Sequence, residues 1–324
     1  MLLTLWLACG GGDADGTGAD TPPSTADTSP SPATDSSVST GDSSPGPAPA
    51  EHRFSFVVVA DPHISSNVEH EVRLAAAVDW INQHTVERRI SFVAVVGDVG
   101  WGAGLPVAKA LLDDLDVPYL PLLGDNEIAT DHEEAFADTF APQYERLATQ
   151  LDGFTRGPVE VANPIYGQDS WFQNFAFDHG GMHFVGLDWC SRNRDDFFYA
   201  ELAELHDFDG GTFPWYQAEL SELPLGPDEN VVLFSHHPMT NTIGGFVTDD
   251  WDQIIATTSP VAERVAAGFA GHLHVDWEEL GTDAGYDVFV TDATWDDENT
   301  VRVVEVWSDD ERFELRQELV LVGE

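Results

Sequence analysis

Five short apolar runs in this chain each close on a small residue and hand over almost at once to a carboxylate or an imidazole. Asp61 and His63 follow 54–60, Asp98 follows 92–97, and Asp125 follows 119–124. His236 follows 231–235, and His272 and His274 follow 268–271. A short apolar run ending in Gly, Ala or Ser before a polar residue reads as a buried strand that delivers its C-terminal residue to a rim. In open α/β sheets that rim is where ligands are held. The chain must therefore place several strands with their ends close together, and the side chains at those ends are of metal-binding type.

Composition narrows the classes. The chain has 324 residues, 42% hydrophobic and 11% aromatic, with 10 Trp and 19 Phe, enough for a sizeable core. Its formal net charge is −45, from 58 acidic against 13 basic residues, and Lys109 is its only lysine. Such a field repels nucleic acid and anionic membrane, so no nucleic-acid partner is expected. It also repels a free phosphate ester, which would need a locally cationic site, and metal ions supply one. Solubility, or life in a salty environment, accounts for the acidity itself. There are two cysteines, Cys9 and Cys190, too few for a disulfide framework or a thiolate cluster. Cys190 follows an apolar run and reads as a buried small hydrophobe.

Along the chain, 1–9 reads as a signal-like segment, 10–51 as a tether and 52–324 as one folded domain. Residues 10–50 are almost wholly Gly, Asp, Thr, Ser, Pro and Ala, which cannot bury enough surface to offset ordering entropy. The apolar stretch 1–8 is too short to span a bilayer, which takes about 20 residues. Leu7-Ala8-Cys9 resembles the tail of a bacterial lipoprotein signal, in which the cysteine is lipidated, although Trp6 stands where Leu is usual. That reading makes the product an exported envelope lipoprotein or a secreted protein. A frayed, unprocessed N-terminus is the alternative.

Within the domain, strands are expected at 54–60, 91–97, 118–123, 172–178, 182–188, 230–235, 265–270, 285–291, 300–307 and 312–320. Helices are expected at 67–84, 106–115, 132–151 and 214–223. In the first, Val68, Val72, Leu74, Ala75, Val78, Trp80 and Ile81 make the apolar face. Thr212 is the expected cap of the fourth, with Pro214 in its first turn. The early β-α-β-α-β alternation implies parallel pairing, and the close spacing within 172–188 and 285–320 implies antiparallel pairing. Phe213–Tyr216 and Trp171-Phe172 read as core aromatics, with a substrate rim as the other possibility. His52, His70, His84, His132, His179, His183 and His206 lie outside the motifs and read as surface or packed histidines.

Taken in order, Asp61-Pro62-His63, Gly97-Asp98, Gly124-Asp125-Asn126-Glu127, Ser235-His236-His237-Pro238 and Gly271-His272-Leu273-His274 resemble the motifs of the calcineurin-like metallophosphoesterase superfamily. The resemblance covers residues 54–274. It implies an α/β fold, a β-sandwich of two mixed sheets flanked by helices in four layers. It implies two metal ions, Mn, Fe, Zn or similar, and hydrolysis of a phosphomonoester or phosphodiester by a metal-activated hydroxide. Asp61, His63 and His274 would bind the first ion, Asp98 would bridge, and Asp125, His236 and His272 would bind the second.

The chain departs from that pattern at three positions. Asp125 replaces a neutral amide ligand with a carboxylate and lowers the Lewis acidity of the centre. Asn126 stands where an imidazole is usual; an amide donates a hydrogen bond but cannot act as a general acid near neutral pH. Trp101 occupies the place of the metal-binding Tyr of purple acid phosphatases. Asn126 and His237 are the residues expected to act on the substrate or beside it. The competing expectations are a catalytically impaired metal-binding surface lipoprotein and a purely structural metal site, and the spread of the ligands over strand ends argues against the latter.

Overall fold

Strand β1 (Glu51–Val59) is buried on both faces from Phe54 onward, which is why its sequence reads as an unbroken apolar run. In the computed structural model, which describes residues 50–194, 201–223, 229–296, 298–309 and 312–322, it lies at the centre of a five-stranded sheet. Its neighbours are β2 (Ile90–Val96), parallel, and the antiparallel β13 (Thr300–Ser308). β3 (Tyr119–Leu122) extends the sheet beyond β2, in parallel, and β14 (Phe313–Leu321) closes the other edge, antiparallel to β13. The C-terminal ends of β1, β2 and β3 therefore meet at one rim. Strand pairing begins at Glu51: Glu51 and His52 already pair with Ser308 and Trp307. The segment carrying Cys9 lies outside the described residues.

The second sheet has seven strands. Its middle is parallel: β8 (Met182–Leu187), β9 (Val231–Ser235), β10 (Val265–Ala270) and β12 (Asp287–Val290). Antiparallel strands flank it, β7 (Phe175–His179) and β4 (Asp152–Arg156) on one side and β11 (Trp277–Glu279) on the other. A separate hairpin pairs β5 (Glu160–Asn163) with β6 (Gln168–Trp171). Of the antiparallel pairing expected over 285–320, β13 and β14 comply, whereas β12 runs parallel to β10.

The two large sheets face each other through phenylalanines. Phe56 of the first packs edge-on to Phe184, Phe234 and Phe269 of the second, at ring-centroid distances of 5.7, 5.6 and 5.5 Å. Edge-to-face contact places the positive ring edge on a negative ring face and fixes the spacing of the layers. A second apolar cluster lies on the other side of the seven-stranded sheet and takes in Trp189, Tyr216 and Trp251.

Helix α1 (Val68–Arg88) starts on Asn67, whose side chain accepts from Glu69 N–H at 3.1 Å, and ends at Arg89 in the left-handed region. Its buried stripe is Leu74, Ala77, Val78 and Ile81, spaced i, i+3, i+4, i+7; Val68 and Val72 stay exposed, contrary to the expected face. Helix α2 (Gly104–Leu112) opens two residues before its expected start, and α4 (Glu133–Gln150) follows its expected span closely. Two helices were not expected from the apolar pattern. α3 (Asp125–Ala129) is a single short turn, and α6 (Thr248–Thr258) buries only Trp251, Ile254 and Thr258. Helix α5 (Thr212–Ser221) is capped by Gly211 rather than Thr212, whose hydroxyl donates instead to Asp188 O at 2.6 Å. Phe172, Phe213 and Tyr216 are buried core. Cys190 is buried too, its thiol directed at Leu123 O at 3.4 Å and pushed up in pKa by burial and by nearby Asp188. Among the described residues no helix is long and apolar enough to cross a membrane.

Candidate metal centre

At the ends of β1, β2 and β10 the chain turns sharply, and the turn is recorded in the backbone. Asp61, His63, Asp98, His272 and His274 have φ values of 49°, 52°, 49°, 71° and 52°. That left-handed region is uncommon for side-chain-bearing residues and persists where surrounding structure holds it. Here the turn carries five donor side chains back over the rim between the sheets. Two glycines make room for them. A Cβ on Gly97 (φ +87°) would lie 2.2 Å from His236 Nδ1, and one on Gly124 would lie 2.1 Å from Asp98 Oδ1.

All seven donors expected from the sequence meet, in two groups. Asp61, His63, Asp98 and His274 form one, and Asp125, His236 and His272 the other, with the donor atoms of each group within 4.8 Å of one another. The first group joins β1, β2 and β10; the second joins β3, β9 and β10, so both sheets contribute to both. Asp98 stands between them: its Oδ2 is 3.0 Å from His63 Nε2, and its Oδ1 is 3.6 Å from His236 Nε2. In the second group Asp125 Oδ1 lies 2.6 Å from His236 Nε2 and 3.1 Å from His272 Nδ1. His236 Nδ1 is 3.0 Å from Val96 O. A carbonyl only accepts, so Nδ1 carries the proton of that bond and Nε2 is the nitrogen aimed at the centre. Asp61 accepts from His272 N–H at 3.0 Å through Oδ2, tying the first strand of one sheet to the last motif of the other.

Burial alone would raise the carboxyl pKa values here, but the surrounding imidazoles outweigh it. Asp61 is lowered through a hydrogen bond with His274 and the charges of His236, His274 and His63. Asp125 is lowered further by its bonds to His236 and His272. His236 moves the opposite way: burial pulls it down, yet Asp98, Asp125 and Asp61 lift it well above the ordinary histidine value. His274 is likewise raised, chiefly by its bond to Asp61 against the effect of burial. The same carboxylate–imidazole contacts that lower Asp61 and Asp125 therefore raise His236 and His274. Among the described residues no Arg or Lys pairs with Asp61, Asp98 or Asp125.

Several neighbours complete the site. Asn126 donates its backbone N–H to Asp98 Oδ1 at 2.9 Å, and its side-chain amide donates to Asp98 Oδ2. His237 is fully buried, both its ring nitrogens lack hydrogen-bond partners, and its ring centroid lies 4.2 Å from that of His272. Glu127 accepts from Gly100 and Gly124 N–H groups, both at 2.8 Å, and so clamps two of the turns together. Burial, reinforced by Asp98, pushes its carboxyl up to about 8. Trp101 sits edge-on to His63, centroids 5.5 Å apart.

Three participants were not singled out from the sequence. Glu127 stands within the Gly124-Asp125-Asn126-Glu127 motif, where its residue type alone assigns it no role. His70, read as a surface or packed histidine, places Nδ1 2.9 Å from His63 O. Trp295 packs against His63 and His274, both at 5.4 Å. A histidine seven residues after His63, in the first turn of the next helix, was the available signal for His70. Nothing local to Trp295 marked it.

A family profile described as calcineurin-like phosphoesterase matches residues 54–276. Among curated proteins, none matches the chain by sequence. A solved dimetal phosphatase from Danio rerio superposes with a TM-score of 0.54 at 13% identity, covering 85% of this chain and 100% of that one. A putative 5'-nucleotidase from Staphylococcus aureus superposes with a TM-score of 0.50 at 16% identity, covering 84% of this chain and 54% of that one. At these identities the likeness is one of fold: two mixed sheets with flanking helices. The profile match spans every motif from Asp61 to His274, and on that match the chain belongs to the calcineurin-like phosphoesterase family.

Proposed function

We propose that this chain is a phosphoric ester hydrolase that uses two metal ions, held by Asp61, His63, Asp98 and His274 on one side and by Asp125, His236 and His272 on the other. The observation that carries this reading is the convergence of three buried carboxylates and four imidazoles in two groups, with no Arg or Lys paired to those carboxylates among the described residues. Buried charge needs compensation, and a centre of oxygen and imidazole donors without a cationic side chain fits divalent or trivalent ions. Two ions bound there supply Lewis-acid activation of water and neutralise charge on phosphoryl oxygens. They also supply the local positive field that a chain of net charge −45 otherwise denies a small phosphate ester.

The chain's own groups divide the remaining work. Asp98, placed between both donor groups, would serve as the shared ligand. Asn126 holds Asp98 by two hydrogen bonds and offers the only side-chain amide in that turn as a donor near the substrate. It cannot deliver a proton to a departing oxygen, so esters with stable leaving anions are the preferred substrates. His237, packed against His272, orients the second group's imidazoles. The Leu7-Ala8-Cys9 sequence supports export with a lipid anchor at Cys9.

A second reading, a metal-binding surface lipoprotein with impaired turnover, draws on one observation: the Asn126 amide is already engaged by Asp98. Two measurements on protein purified without chelators decide between them. Metal analysis is expected to give close to two ions per chain, and aryl phosphomonoester or phosphodiester turnover is expected on adding Mn, Fe, Zn or Mg to metal-free protein. His272→Ala is expected to remove about one ion and most of the turnover. No bound metal in the wild type would sink both readings; two ions without turnover of either ester would leave only the second.

A further inference from the structure

The two donor groups differ in what surrounds them. In the first, Trp295 lies nearly parallel to the His63 ring, 5.4 Å between centroids at 22°, and edge-on to His274 at 5.4 Å and 87°. One indole therefore touches both imidazoles of that group. It also meets His70 at 5.3 Å, and His70 in turn is bonded to His63 O. The backbone that carries the indole is held in place: Arg73 donates to Trp295 O at 2.8 Å, and Thr294 N–H donates to Ala60 O at 2.9 Å, beside the end of β1. Its own N–H is buried with no hydrogen-bond partner. A tryptophan usually satisfies that N–H, so what this residue contributes here is its ring face rather than its polar atom. Among the described residues no tryptophan lies against His236 or His272; those two rings instead meet His237, at 5.1 and 4.2 Å.

We infer that Trp295 is a positioning residue for the first ion alone. By stacking on His63 and abutting His274 it holds both rings in the orientation in which their nitrogens face Asp61 and Asp98, and its π face stabilises the imidazoles when a bound cation draws charge from them. The second ion depends on a separate set of contacts. The two sites therefore differ in affinity for a reason outside their ligands, and the difference is tunable at one position 21 residues beyond the last ligand.

The inference rests on the two-metal reading, and the test separates them. Metal-free wild-type, Trp295→Ala and Trp295→Phe proteins are titrated with Mn2+ by calorimetry, and bound metal is counted after dialysis. The wild type takes two ions. In Trp295→Ala one ion is weakened about 10–100-fold, the magnitude typical of losing a group that supports metal ligands, while the other is unchanged. Trp295→Phe, which keeps an aromatic face and drops only the unpartnered N–H, restores most of the loss. The retained ion shows that the alanine variant is folded. Two unchanged ions in Trp295→Ala, a loss of both, or a phenylalanine variant no better than alanine would each overturn the inference. A wild type that binds none would overturn the two-metal reading and this inference with it.

Discussion

Gly97→Ala tests whether the centre is built on close backbone approach. The added methyl would meet three atoms of His236, Nδ1 at 2.2 Å, Cγ at 2.5 Å and Cβ at 2.6 Å, where ordinary contact begins near 3.4 Å. Relief requires the ring to move by about 1 Å, which a close-packed interior resists. His236 cannot move freely, because it is buried between Val96 O at 3.0 Å and Asp125 at 2.6 Å. Overpacking of this kind costs about 1–3 kcal/mol. The backbone adds a second cost, since φ at Gly97 is +87° and a Cβ in the left-handed region costs about 1–2 kcal/mol. The sum is about 2–5 kcal/mol, or a fall of about 4–20 °C in Tm for a domain of this size. Gly167→Ala is the matched control: its φ is +67° with nothing within 4 Å of the added atom, so only the backbone cost applies. Thermal melts of both variants, with metal counted on each, make the comparison. The reasoning fails if Gly97→Ala melts no lower than Gly167→Ala and still binds two ions.

Asn126→His should raise alkyl-ester turnover by about 10²-fold or more while changing aryl-ester turnover less, because it restores a proton donor beside the leaving oxygen. A wild-type rate that does not vary with leaving-group pKa would remove the reason for that expectation. His183 bonds Asp178 at 2.8 Å and lies 3.5 Å from Glu219; burial lowers its pKa, but the two carboxylates raise it more, to a net value above the ordinary one. A raised histidine contributes stability that is full below the unfolded value, about 6.5, and is lost as pH rises through the higher folded value. Urea midpoints of His183→Gln and wild type should accordingly differ more at acid pH than at alkaline pH; a constant difference refutes the assignment. The motif resemblance puts Trp101 where purple acid phosphatases have a metal-binding Tyr; on that reading iron-loaded protein should show no visible tyrosinate band, and a purple sample would show that another Tyr reaches the metal.

The strands that carry the site were legible because each is local: an apolar run of four to seven residues closing on Gly, Ala or Ser identifies a buried strand and its end without reference to anything distant. The same reasoning found β1, β2, β3, β9 and β10 to within a few residues. It did not find β4, β5, β6 or β11, which are short, largely polar and at sheet edges or in a separate hairpin, where little burial marks the pattern. It also put Val68 and Val72 on the wrong side of α1, since periodicity alone does not say where along a helix contact with the sheet begins.

What the sequence determined by itself was which carboxylate or imidazole stands at the end of which strand, because both follow from residue type and chain-local burial. Tertiary structure alone decided that Trp295 would stack on His63, that Asp61 would accept from His272, and that Asn126 would be tied to Asp98 rather than turned outward. These contacts join positions as much as 232 residues apart along the chain, His63 to Trp295. They exist only once two sheets have packed face to face on their phenylalanines, and no local propensity encodes a distance between layers.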